Sequence, residues 1–262
     1  MTNPQKIRCA ALLYHHVGPL TAGMYPKMSI EPRQFERQVG WLKRRGYASI
    51  LPSDWLTWHS GTAVLPEKPV MITFDDAYAD IAEYALPVLK HYGFTATIFV
   101  VTERVGATNS WDTQNGYASL PLMTKEQILR WSAEGFAFDA HGRTHRDLTK
   151  LDDAALANEI AGSASDLEEL LGTPTTSFAY PYGAWNDLAR SIAAKHFPIA
   201  FSCISGMNTL ATDPHLLRRV LIPTRASLLD FALSVRTGGL HRAGELRIRL
   251  ALRTRLRSLF GK

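Results

Sequence analysis

Residues 70–76 read Val-Met-Ile-Thr-Phe-Asp-Asp, and this stretch decides the fold. A short β-branched, apolar run is read as a buried strand, and it stops at two adjacent carboxylates. Helical spacing follows over residues 78–92, closed by Gly93, with Pro87 a candidate kink. The same alternation continues outward. Strands are expected at 94–101, 136–140, 176–180, 198–203 and 217–222. Helices are expected at 124–134, where Thr-Lys-Glu-Gln opens and Gly135 ends the element, and at 152–171, ended by Gly172. Two more are expected near 185–195 and 227–235. Upstream, residues 7–14 form an apolar run leading into His15 and His16, and 31–46 carry Phe35, Val39 and Leu42 at helical spacing. The interval 47–69 yields no assigned element. Strands alternating with helices imply βαβ units and a mostly parallel sheet. Seven or eight such units in this length suit a (β/α) barrel in a single domain, while an open doubly wound sheet fits the same alternation.

The chain has 262 residues, 46% hydrophobic and 20% charged, so it can bury a sizeable core, and disorder does not dominate. No apolar run is long enough to span a bilayer, and no small-residue cleavage site follows the N-terminal apolar run, so no secretory signal is read. Cys9 and Cys203 are far apart and fit neither a disulfide framework nor a cysteine metal site. A reducing, cytoplasmic setting is the expectation. The net charge of +5 is uneven. Residues 240–262 hold six Arg and one Lys against one Glu, leaving 22 Lys and Arg against 23 Asp and Glu in residues 1–239. The expected organisation is therefore a domain over 1–239 and a basic tail over 240–262, read as helical from its Leu, Arg and Ala content. A neutral body argues against nucleic acid as partner. The tail is read either as a solvated terminal helix or as a peripheral contact with the inner face of an anionic membrane. No Gly-rich phosphate loop follows any strand.

The chemistry-capable residues fall at strand ends. His15 and His16 follow the first strand, Asp75 and Asp76 follow 70–74, His141 and His145 follow 136–140, and Tyr180-Pro181-Tyr182-Gly183 follows 176–178. In a parallel barrel these ends share one rim, where active sites are built. Asp75-Asp76 alone also suits a helix N-cap. One carboxylate with two imidazoles is the donor set of a catalytic zinc or similar divalent ion, and a second carboxylate can act as base towards water.

Thr73-Phe74-Asp75-Asp76, His141-Gly142-Arg143-Thr144-His145 and Phe178-Ala179-Tyr180-Pro181-Tyr182-Gly183 resemble, in order and spacing, the first three motifs of the polysaccharide deacetylases, carbohydrate esterase family 4. The likeness runs from about Leu12 to Ile222. It implies a distorted (β/α) barrel and removal of acetyl groups from an N-acetylated glycan with a divalent metal, often zinc. It implies Asp75 as general base, Asp76, His141 and His145 as metal ligands, and Tyr182 as backbone donor to the oxyanion. The alternatives are a non-catalytic glycan-binding relative and a hydrolase of a small non-sugar amide. Trp111, Tyr180 and Trp185 are assigned to substrate binding, the tryptophans as a sugar platform or, equally, as loop packing.

Three departures set further expectations. Gly142 stands where the family has a Ser or Thr hydroxyl that braces the loop, and Arg146 stands where Pro is common. Ala179 stands where an Arg often pairs with the base, so the Asp75 pKa is expected to sit higher than in relatives. Arg218 and Arg219 fall within the last strand, where one could reach the site, and are read in the first place as surface or framework ion-pair residues. The family's late histidine motif is missing from the end of the chain, but Leu13-Tyr14-His15-His16 offers that pattern at the start. Some poly-N-acetylglucosamine deacetylases look circularly permuted in this way. The first and last strands of a closed barrel are neighbours, so His15 is assigned as general acid. Strand alternation then sends His16 to the opposite side, at the pocket rim.

Overall fold

The computed structural model describes residues 7–24, 28–113 and 115–239. Its strands are β1 (Ala10–Tyr14), β2 (His16–Val17), β3 (Ser29–Ile30), β4 (Ala48–Ser49), β5 (Pro69–Phe74), β6 (Thr97–Val100), β7 (Ala137–Ala140), β8 (Ser177–Ala179), β9 (Ile199–Phe201) and β10 (Val220–Leu221). The main sheet runs β10-β1-β5-β6-β7-β8-β9, with β4 added to the start of β5. Every pairing in it is parallel. Leu12 pairs with Ile72 on one side and Val220 on the other, so the first strand lies between β5 and the last one. Residue Leu217 pairs in parallel with Phe201 of β9, which curls the sheet round towards closure through the segment 217–221. The expected distorted barrel is what forms.

Strand alternation sorts the side chains into two cores. Leu12, Tyr14, Val70, Ile72 and Phe74 point outward into a cluster shared with the helices. Cys9, Ala11, Met71, Phe99, Ala179 and Phe201 point inward and fill the barrel. The helices are α1 (Pro32–Arg44), α2 (Pro52–His59), α3 (Leu86–Tyr92), α4 (Ser110–Thr113), α5 (Lys125–Ala133), α6 (Asp153–Leu171), α7 (Asp187–His196) and α8 (Leu228–Thr237). At α5, Thr124 caps the Gln127 N–H and the Gln127 side chain returns the bond, which is why Thr-Lys-Glu-Gln opens a helix. The break expected at Pro87 lies just before it, as one π-helical turn over Ile81–Ala85. The β2–β3 ribbon, β4, α4 and α2 were not expected from the sequence. Of these, α2 packs Trp55 and Trp58, ring centroids 6.2 Å apart, into the interior cluster. Both cysteines are free. The tail 240–262 lies outside the described residues.

Candidate active site

β5 delivers the two carboxylates. Asp75 N–H still bonds to Tyr14 O at 3.0 Å, continuing the ladder, and then the chain turns sharply with Asp76 at φ 71° and Ala77 at φ 53°. His145 (φ 61°) and Tyr182 (φ 58°) share this left-handed conformation. Among the described residues these four are the only non-glycines with positive φ, and all four lie at this rim. Backbone strain collected at one place is the mark of a site whose geometry is held by its surroundings.

Asp76, His141 and His145 are buried and converge, with one ligand atom from each lying within 4.8 Å of the others. Asp76 Oδ1 is 3.2 Å from His145 Nε2 and 3.5 Å from His141 Nε2. His141 Nδ1 lies 2.7 Å from Ala179 O. A carbonyl can only accept, so Nδ1 carries the hydrogen and Nε2 turns its lone pair to Asp76. Despite these short distances, Asp76 Oδ1 has no hydrogen-bond partner, nor does His145 Nδ1. Buried polar atoms are rarely left so, and one carboxylate with two imidazoles converging on a point fits a divalent cation. Burial, then the neighbouring Asp75 and Asp112 charges, pushes the Asp76 carboxyl well above the usual range. Burial likewise lowers both imidazoles, His145 furthest. Trp111 stacks on His145 at 4.4 Å, and the Tyr182 ring meets it edge-on at 4.5 Å.

The expectation that Asp75 lacks a cation is corrected. Arg219, from the chain entering β10, reaches through the barrel and holds both carboxylate oxygens, at 2.6 and 2.8 Å. It is fully buried, donates Nε–H to Ser202 O and lies over Phe99 and Phe201. It is therefore no surface residue. Burial alone raises the Asp75 pKa, but Arg219 and then the nearby histidines outweigh it and bring it down to about 2. The pair Arg218-Arg219 inside the otherwise apolar stretch 217–222 was the available signal.

The missing Ser or Thr hydroxyl at 142 is also replaced. Gly142 has φ +77°, and a Cβ there would stand 3.0 Å from Glu159 Oε2. Glu159, buried on α6, accepts the N–H groups of Arg143 and Thr144 at 2.9 and 3.0 Å and the Thr144 hydroxyl. Arg143 in turn forks onto Asp166 of the same helix. The histidine loop is thus braced from below by a helix.

His15 and His16 both line the cavity in front of these residues, which has a volume of about 640 Å³. They do not point to opposite sides, because β1 stops at Tyr14 and His16 begins a separate strand. Burial, with Arg219 and His141 adding and Asp75 opposing, lowers the His15 pKa to about 4. Its Nδ1 is buried and without a partner. His16 Nε2 is tied to Asp80 at 2.7 Å. Trp111 and Tyr182 also line the cavity. Tyr180 and Trp185 do not. Tyr180 is completely buried and donates its hydroxyl to His215 O, and Trp185 packs against the outer core. Strand alternation explains Tyr180: it falls on the outward face, with Phe178.

A family model described as polysaccharide deacetylase matches residues 62–197. The chain belongs to the polysaccharide deacetylase family. The Bacillus subtilis (strain 168) protein YxkH is 29% identical over 184 residues, 70% of this chain and 60% of that one. A Staphylococcus aureus (strain MSSA476) poly-β-1,6-N-acetyl-D-glucosamine N-deacetylase is 28% identical over 204 residues, covering 74% of this chain and 68% of the relative. The Streptococcus pyogenes deacetylase PplD, solved with acetate, superposes with TM-score 0.76 at 25% identity, covering 87% of this chain and 98% of that one. The chain thus spans 60% of the length of its Bacillus relative. In this member of the family, the Asp-His-His trio converges at the strand-end rim of the barrel.

Proposed function

We propose that this chain is a metal-dependent deacetylase that removes the acetyl group from an N-acetylated glycan. The observation that carries this reading is the buried trio Asp76, His141 and His145 beside a carboxylate held ionised by Arg219. The trio would hold one divalent cation, for which zinc is our assignment from its two imidazoles and one carboxylate. Such an ion supplies Lewis acidity to the acetyl carbonyl and acidity to a water. Asp75 accepts the proton of the attacking water. Arg219 fixes its orientation through two hydrogen bonds and keeps it charged. The backbone N–H of Tyr182, on its left-handed turn, donates to the oxyanion. His15 rests neutral. Negative charge developing beside it raises its proton affinity, so it takes up a proton from solvent and passes that proton to the leaving amine as the C–N bond breaks, returning to the neutral imidazole. Trp111 and Tyr182 give the sugar an aromatic wall, and His16 shapes the rim.

The substrate named for the staphylococcal relative supports an N-acetylglucosamine polymer or its precursor. The arginine content of 240–262 supports contact of the tail with the inner, anionic face of a membrane. Among the described residues no helix is long and apolar enough to cross a bilayer. Flotation with anionic liposomes at low salt, comparing the full chain with one ending before Leu240, tests the tail, and equal flotation removes that assignment. Metal analysis with acetate release from N-acetylglucosamine oligomers tests the reaction. We expect one ion per chain and acetate from the oligomers, and a metal-loaded protein that releases none overturns the reading. His15→Ala is expected to slow amide hydrolysis far more than hydrolysis of an activated acetyl ester, whose leaving group needs no proton. Equal losses would make His15 structural.

A further inference from the structure

A second cavity, of about 590 Å³, adjoins the first and shares Trp111, His145 and Tyr182 with it. Its character differs. The first is walled by Asp75, Asp76 and Asp112, whereas the second is lined by Arg104, Arg146 and Lys150 with Asp147 as its one acid. Lys150 and Asp147 neutralise each other at 2.9 Å. Arg104 and Arg146 form no ion pair among the described residues, although Arg143, Arg190 and Arg219 each bind a carboxylate. Arg104 is half-buried, and its Nε is buried without a hydrogen-bond partner. A buried guanidinium N–H left unpartnered is costly, and an oxyanion satisfies it with charge-assisted bonds. Glu103, next to Arg104 in sequence, pairs instead with Arg143, as does Asp166.

We propose that this second cavity is a subsite for a negatively charged sugar residue next to the one being deacetylated, with Arg104 and Arg146 binding its carboxylate or phosphate. The shared aromatic wall of Trp111 and Tyr182 connects the two, so one glycan chain can occupy both. The inference rests on the deacetylase reading and narrows it: among N-acetylated glycans the chain favours one with a negative charge beside the N-acetyl sugar over a neutral one.

The test compares three acetylated oligosaccharides of equal length, one neutral, one with a uronate and one with a phosphodiester beside the N-acetyl sugar. The readout is kcat/KM on each charged substrate divided by that on the neutral one. The native chain is expected to favour at least one charged substrate by about ten-fold or more, the range of one or two charge-assisted bonds. The double substitution Arg104→Gln with Arg146→Gln should bring that ratio close to one, and added salt should lower it. Preference for the uronate alone or the phosphodiester alone supports the subsite and identifies its ligand. No preference, or a preference that survives the double substitution, overturns it. If none of the three is hydrolysed, the deacetylase reading fails, and calorimetry with the same charged oligosaccharides lacking acetyl groups reads the subsite separately. Weaker binding by the double variant supports it, and equal binding overturns it.

Discussion

Asp75 and Asp76 are adjacent and chemically identical, and their surroundings separate them. Asp75 meets a guanidinium through both oxygens and is held low, to about 2, whereas Asp76 is driven up by burial and then by the Asp75 and Asp112 charges. Asp75→Asn is therefore expected to abolish turnover while leaving metal bound, and Asp76→Ala to lose the metal. Metal analysis of both variants checks the split, and equal metal loss would show the roles reversed. Arg219 is the residue on which this separation depends. Arg219→Met leaves a buried carboxylate without its partner, which costs about 3–5 kcal/mol of stability. Burial then acts on Asp75 unopposed and raises its pKa. The base is active only when ionised, so the acid limb of the pH–rate profile should move to higher pH in this variant. An unmoved limb would mean that Asp75 is not the base.

The histidine loop and α6 act as one element. Glu159 takes two backbone N–H groups and a hydroxyl of the segment between His141 and His145, and no other side chain stands so close to Gly142. Glu159→Ala leaves those part-buried donors unpaired, at up to about 1–3 kcal/mol each before water or relaxation compensates. The expected result is metal affinity lowered by about 10–100-fold, the usual scale for a group that orients ligands. Glu159→Gln should recover part of it, since its carbonyl oxygen still accepts. Affinity unchanged in Glu159→Ala would place the brace elsewhere. These dependencies also explain what was legible in the sequence. The strand at 69–74 and the helix at 153–171 carry their own patterns and boundary residues, so both were readable locally. α2 has only eight residues, too few to display a stripe, and it buries two tryptophans against an interior that exists only after the sheet has curled. The convergence of Asp76, His141 and His145 was readable because parallel strands bring their ends to one rim. Arg219 and Glu159 were not, because each acts on a partner that tertiary packing alone supplies, 144 and 15–16 residues away in sequence.

Across the whole molecule, the barrel interior grades from apolar to ionisable. Trp55, Trp58, Met71 and Phe201 fill it around Phe99, on which Arg219 rests, and the carboxylates and imidazoles gather at the ends of β5 and β7. A rim so dense in buried titratable groups couples folding to pH and to metal. In the metal-free protein the Asp76 pKa is raised, so its contribution to stability is present below the ordinary 3.8 and is lost as pH rises towards the shifted value. The two histidines are lowered from 6.5, so theirs is present above 6.5 and is lost as pH falls. A divalent cation relieves the first loss by neutralising the carboxylate, and protons compete with it for the imidazoles in the second range. Metal should therefore stabilise most above pH 6.5, where the imidazoles are neutral and Asp76 is ready to ionise. With free zinc at a hundred times its dissociation constant the gain is about 2.7 kcal/mol. For a domain of this size that raises Tm by about 2–4 °C per kcal/mol. Thermal melts with zinc and with chelator at pH 7.5 and 5.0 measure the difference. It should be several degrees at pH 7.5, shrink markedly at pH 5.0, and vanish at both in Asp76→Ala. A difference that is the same at both pH values, or that persists in Asp76→Ala, would show that the stabilising ion binds somewhere other than the Asp76, His141 and His145 trio.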